Sequence, residues 1–239
     1  MLRTIIFFGT YIPFTGLCIL LAIMVSLCST ANRVHQVARW WGKVALWLGG
    51  VRIETTGSEH IEAHRPTIYM ANHQSNFDIP ILYSGLPIQF RWLAKKELFD
   101  VPFFGNAMQR AGYIPVDRGN RKRAIASMDY AADRIRQGAS VIIFPEGTRS
   151  PDGNLLSFKK GGFMLALQSG APIVPIAISG SRDLMPKNQL RIRGGTVNLT
   201  IFPAIDTTGL TENDRDHLIA TVVSSISSAV TVSQEPVDA

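Results

Sequence analysis

The segment Asn72-His73-Gln74-Ser75-Asn76-Phe77-Asp78 places an imidazole and a carboxylate five residues apart. It lies between two apolar runs, Thr67–Ala71 and Ile79–Leu86. On a continuous helix, residues five apart sit about 140° apart around the axis and cannot meet. They meet only if His73 lies in a turn and Asp78 in the first turn of a helix. The pattern therefore predicts strand, tight turn and helix, with Ser75 or Asn76 as the N-cap. A carboxylate accepting from Nδ1–H would fix the tautomer and leave Nε2 to take a proton from a hydroxyl. The plainer alternative is a polar helix cap with a solvated histidine.

A second cluster, Pro145-Glu146-Gly147-Thr148-Arg149-Ser150, follows the apolar strand Val141–Phe144. The glycine lets the backbone approach a ligand, while a hydroxyl, a guanidinium and exposed N–H groups converge in one turn. Those are the groups that hold a phosphate. It is not a P-loop, because GxxxxGK[ST] is absent. Arg118 ends the short strand-like segment Gly112–Gly119, where a strand meets a loop, and Lys159 and Lys160 open a helix. In an open α/β sheet, strand ends and helix starts converge on one crevice.

Strands alternate with helices from Val51 to Val230, which predicts an α/β domain of about seven mostly parallel strands flanked by helices. Arg191–Phe202 reads as a hairpin or edge region turning on Gly194-Gly195, and Thr211–Val230 as a closing helix. Ser233–Ala239 reads as a frayed tail. At 239 residues and 46% hydrophobic composition, one core plus an appendage is expected. The division expected is an anchoring segment at 1–50 and a catalytic domain at 51–239.

The appendage is apolar. From Thr4 to Asn32 no residue is charged, and about 20 apolar residues cross a bilayer. Pro13 and Gly16 would allow two short helices dipping into one leaflet instead. Arg33, Arg39 and Lys43 follow, which favours a cytoplasmic face for the remainder. Trp40, Trp41 and Trp47 beside these cations suit either a bilayer interface or packing on the domain.

The net charge of +6 suits anionic lipid or phosphorylated substrates, among other partners. The basic cluster Arg121-Lys122-Arg123 has no aromatics interleaved, which argues against single-stranded nucleic acid. Cys18 and Cys28 both fall in the apolar stretch, and the five histidines lack HExxH spacing, so neither zinc nor a disulfide framework is suggested.

Taken together, Asn72–Asp78 resembles the HX4D signature of the glycerolipid acyltransferases, the family of 1-acylglycerol-3-phosphate acyltransferases. Lys96-Glu97-Leu98-Phe99 with Gly112–Arg118 resembles that family's second block, Phe144–Ser150 its third, and Val174-Pro175-Ile176-Ala177-Ile178 its fourth, all in the family's order. The resemblance implies acyl transfer from a thioester, acyl-CoA or acyl carrier protein, to the sn-2 hydroxyl of lysophosphatidate, without a cofactor. It implies His73 as general base, Asp78 as its partner, and Arg118, Glu146, Gly147, Thr148 and Arg149 around the substrate phosphate, with Lys159 secondary. An inner-membrane protein with its catalytic domain on the cytoplasmic face is the matching location. Other lysolipids or glycerol 3-phosphate are alternative acceptors, and a lipid-binding module is the non-enzymatic one.

Overall fold

The computed structural model describes residues 2–117 and 119–230. Arg118 and the tail after 230 lie outside the described residues. Two helices come first, α1 (Leu2–Cys28) and α2 (Ala31–Gly49), followed by a sheet of β1 (Val51–Thr56), β2 (Ile68–Ala71), β3 (Arg91–Lys95), β4 (Ile114–Val116), β5 (Val141–Ile143), β6 (Ile173–Ser179) and β7 (Gly195–Ile201). The spatial order is β1-β7-β6-β2-β5-β3-β4. Every neighbouring pair is parallel except β6 and β7. Helices α3 (Asp78–Gly85), α4 (Phe104–Arg110), α5 (Arg121–Arg136), α6 (Lys160–Ser169), α7 (Ser181–Leu184) and α8 (Arg215–Ser227) make the connections.

Strand β2 shows how the sheet divides two cores. Its side chains alternate across the faces. Tyr69 and Ala71 join the core beneath α1–α4, while Ile68 and Met70 join the one beneath α5, α6 and α8. All four are fully buried, as a central parallel strand requires.

Two sequence expectations change, and one open alternative is decided. First, β7 is neither a hairpin nor an edge, but an interior strand between β1 and β6. The glycines at 194–195 answer a close approach rather than a turn. A Cβ on Gly194 would stand 2.2 Å from the Arg3 guanidinium and 2.9 Å from the Gly50 carbonyl oxygen. Second, α1 runs unbroken through Pro13 and Gly16. Third, the N-cap of α3 is Phe77, with no side-chain cap bond. Ser75 instead accepts from Phe77 N through its hydroxyl (3.2 Å).

Helices α1 and α2 form an antiparallel hairpin. The start of α1 is tied to the strand side by Thr4 Oγ1, which accepts from Ile192 N at 3.0 Å, and Arg3 lies beside the end of α2 at Gly50. Tyr11 stacks on Trp41, and the Trp41 indole N–H donates to Thr15 Oγ1 at 3.0 Å. The three tryptophans of α2 divide accordingly. Trp41 packs inward, while Trp47 is 78% and Trp40 48% exposed. The outer face of α1 carries exposed Ile5, Ile12, Leu17, Leu20, Met24 and Leu27, and the helix is long and apolar enough to cross a membrane.

Candidate active site

Parallel strands deliver their C-terminal ends to one edge, and β2 and β5 are direct neighbours there. The chain leaves β2 through Asn72, whose buried amide locks onto β6. Its Nδ2 donates to Ile178 O (2.8 Å) and its Oδ1 accepts from Ile178 N (2.7 Å). This reciprocal pair replaces a strand's ladder bonds at the point where the turn begins, so the next residue starts from a fixed position.

That residue is His73. Its Nδ1 lies 2.7 Å from Asp78 Oδ2. A carboxylate only accepts, so the proton sits on Nδ1 and Nε2 carries the lone pair. The same Asp78 oxygen accepts from Gln74 N (2.7 Å) and Ser75 N (2.8 Å). Asp78 is fully buried at the first position of α3, where helix N–H groups favour negative charge. The backbone of His73 is held from both sides. Its N–H donates to Glu146 Oε1 (2.7 Å), and its carbonyl accepts from Ser150 N (2.7 Å). The imidazole stacks on Phe144, with ring centroids 3.9 Å apart and planes at 8°. Ring, tautomer and main chain are thus all determined by neighbours.

The turn after β5 supplies the second half. Gly147 sits at φ 72°, a left-handed conformation that a β-carbon would strain. Thr148 is exposed, Arg149 half-buried, and both line an apolar cavity of about 380 Å³ together with Gly147 and His73. Glu146 is placed apart from these. Its second oxygen accepts from Leu156 N (2.9 Å), so both oxygens serve backbone N–H groups. Burial raises its pKa, and those N–H donors oppose the rise. Glu146 thereby splices the two turns. Lys159 donates its backbone N–H to Pro145 O (2.8 Å), and the exposed residue lines a wider cleft against α5 and α6 that meets the first cavity at Phe144, Gly147 and Thr148. Arg118 lies outside the described residues.

Lys187 has no signal in the sequence, falling in a Pro/Asn-containing loop after α7. The structure brings its ammonium to the phosphate-type turn, where Nζ donates to Arg149 O (2.8 Å) and approaches Thr148 Oγ1 at 3.5 Å. Its loop is anchored to the histidine turn through Ser75 Oγ, which donates to Met185 O at 2.9 Å. A compensating signal would have required knowing that 75 and 185 meet.

The cavity runs from His73 between α1 and α3–α4. Thr15, Cys18, Ile19 and Ala22 of α1 form one wall, and Tyr83, Trp92 and Tyr113 another. The two phenols bond to each other at 2.5 Å, which lets polar atoms sit in an apolar wall without an unpaired hydroxyl. Burial raises both pKa values, that of Tyr113 to about 12, so the wall stays uncharged. Apolar wall, imidazole and the Arg149 rim line one continuous cavity. No cluster of His, Cys, Asp and Glu suited to a metal occurs among the described residues.

Known proteins resemble this chain in sequence and in fold. An acyltransferase family model matches residues 52–179. A 1-acyl-sn-glycerol-3-phosphate acyltransferase of Limnanthes alba is 39% identical over 179 residues, covering 74% of this chain and 63% of that protein. The alpha form of the human enzyme of the same name is 37% identical, covering 70% and 60%. The chain thus spans somewhat under two thirds of the length of these relatives. The crystal structure of the 1-acyl-sn-glycerophosphate (LPA) acyltransferase PlsC from Thermotoga maritima superposes with a TM-score of 0.77. That alignment is at 30% identity and covers 95% of this chain and 94% of that one.

Proposed function

The chain belongs to the acyltransferase family, and we propose that it transfers an acyl group from a thioester to the sn-2 hydroxyl of lysophosphatidate, giving phosphatidate. The observation that carries this reading is that His73 and the Gly147–Arg149 turn open onto one apolar cavity. A hydrophobic chain fits the cavity and a phosphate the cationic rim, which sets the hydroxyl between them beside the base. Nε2 of His73 removes the hydroxyl proton as the oxygen attacks the thioester carbonyl. The tetrahedral intermediate then collapses, the C–S bond breaks, and the departing thiolate takes the proton back from the imidazolium. Asp78 holds the imidazolium while it is charged. Ser75 carries the one hydroxyl of residues 72–78 and donates it to Met185 O, so the acceptor hydroxyl attacks directly.

Arg118, Thr148 and Arg149 are the phosphate ligands in this reading, with Glu146 holding their turn against His73. Residues 1–50 serve as the membrane-associating part and 51 onward as the catalytic unit. Both ends of the α1–α2 hairpin return to that unit, so the hairpin dips into the leaflet it faces. Arg33, Arg39 and Lys43 favour the cytoplasmic one. The donor is acyl-CoA or acyl carrier protein, and no cofactor takes part.

Purified protein given labelled acyl thioester and lysophosphatidate should form labelled phosphatidate. Free fatty acid as the only labelled product, with both donors, would refute the transfer. Within this reaction, Arg149→Ala and Lys187→Met should each raise KM for lysophosphatidate roughly 10- to 100-fold, the worth of one charge-assisted hydrogen bond. KM for the donor should stay within about twofold in both. Unchanged lysophosphatidate saturation in the two variants would remove the phosphate from this rim.

A further inference from the structure

The stretch Lys96–Gly105 between β3 and α4 departs from ordinary loop chemistry at one residue. Phe103 adopts φ 62° and ψ −48°, and Phe104 N donates across it to Pro102 O at 2.7 Å. That is a classic-type γ-turn, the strained form. Only two non-glycine residues have positive φ among the described residues, and Phe103 is one of them. The surroundings enforce it. Gly105 N donates to Val101 O (2.8 Å), and a Cβ on Gly105 would stand 1.9 Å from the Phe99 carbonyl oxygen. Phe99 is buried beneath.

The strain turns an apolar ring away from the core. Phe103 is 63% exposed, flanked by exposed Leu98 and Val101. Strain of this kind persists where it serves a purpose, and an exposed phenyl ring adds a second unfavourable term in water. Both are offset if the ring meets an apolar phase outside the protein. The loop stands next to a surface already suited to such a phase. Leu98 and Phe104 line the same cavity as Thr15, Cys18, Ile19 and Ala22 of α1. The outward side of α1 is the apolar face of Ile12, Leu17, Leu20 and Met24.

We infer that the Leu98–Phe103 loop is a second membrane-inserting element, continuous with α1, forming the lipid-facing rim across which chains enter the cavity. Its occupant is the hydrocarbon of a bilayer. The inference rests on the membrane association proposed above.

The test uses the full chain and Phe103→Gly, measured by flotation with vesicles of phosphatidylethanolamine and phosphatidylglycerol. Glycine takes positive φ without strain, so this variant should melt no lower than wild type while lacking the ring. Its vesicle partition coefficient should fall about tenfold, the order expected for withdrawing one phenyl ring from hydrocarbon. An environment-sensitive fluorophore on Phe103→Cys, in a Cys28→Ser background, should shift to the blue with vesicles. The same label on Thr208→Cys, an exposed position after β7, should not. If wild type does not float at all, the membrane reading falls and this inference with it. If wild type and Phe103→Gly float equally and the 103 label stays in water, the loop assignment alone is overturned. A dimer lost in Phe103→Gly without any lipid effect would likewise overturn it, in favour of a second copy of the chain.

Discussion

Replacing His73 by alanine should lower turnover about 100- to 10,000-fold, the usual worth of a positioned general base, while phosphatidate formation becomes nearly undetectable. The fold should survive, because what holds the turn together is not the imidazole. Glu146 and Ser150 grip the His73 main chain, and Asn72 grips β6. Asp78 would keep two of its three donors, Gln74 N and Ser75 N. The melting temperature and circular dichroism should therefore stay close to wild type. Phosphatidate formation within tenfold of wild type would show that the proton leaves by another route.

Asp78→Asn should be nearly as damaging, for a cause that can be isolated. All three hydrogen bonds fall on Oδ2, and Oδ1 has no partner among the described residues. An asparagine can therefore place its carbonyl oxygen where Oδ2 stands and keep every bond, including the one that holds the proton on Nδ1. What disappears is the negative charge beside the forming imidazolium. At about 4 Å and an effective dielectric near 20 that interaction is worth about 4 kcal/mol, or roughly a thousandfold in rate. The amide NH₂ is left buried without an acceptor, so stability should drop by about 1–3 kcal/mol as well. KM for lysophosphatidate should hardly move. A turnover loss of less than tenfold would mean that Asp78 orients the ring and does little else.

The histidine–aspartate pair was readable because its evidence is local. A histidine and an aspartate five apart, in a seven-residue segment between two apolar runs, meet only through a turn followed by a helix start, and the structure has that arrangement. The cap was misplaced for a related reason. Ser75 resembles an N-cap by type, but Asp78 reaches backward from the first helical position and takes the N–H groups of the turn itself. Sheet class and strand number followed from alternation of short apolar runs with helical periodicity. The position of β7 did not, since Gly194-Gly195 reads as a turn unless one knows that Arg3 lies against it. Long-range partners were hidden throughout. The Phe144 ring beneath His73 and the Lys187 ammonium beside Thr148 come from residues 71 and 39 positions away. Lys159 was legible as a cation at a helix start, and it lines a cleft bordered by Glu146, Gly147 and Thr148 of the same turn.

Helix α1 is both the greasiest part of the molecule and one wall of the reaction chamber, through Thr15, Cys18, Ile19 and Ala22. Trimming the N-terminus to obtain a better-behaved sample would therefore open the chamber to water along its whole side. It would also strip Tyr11 and Thr15 from Trp41 and unpin the Ile192 loop from Thr4. The most apolar stretch of the chain is thus also the part that shapes its interior.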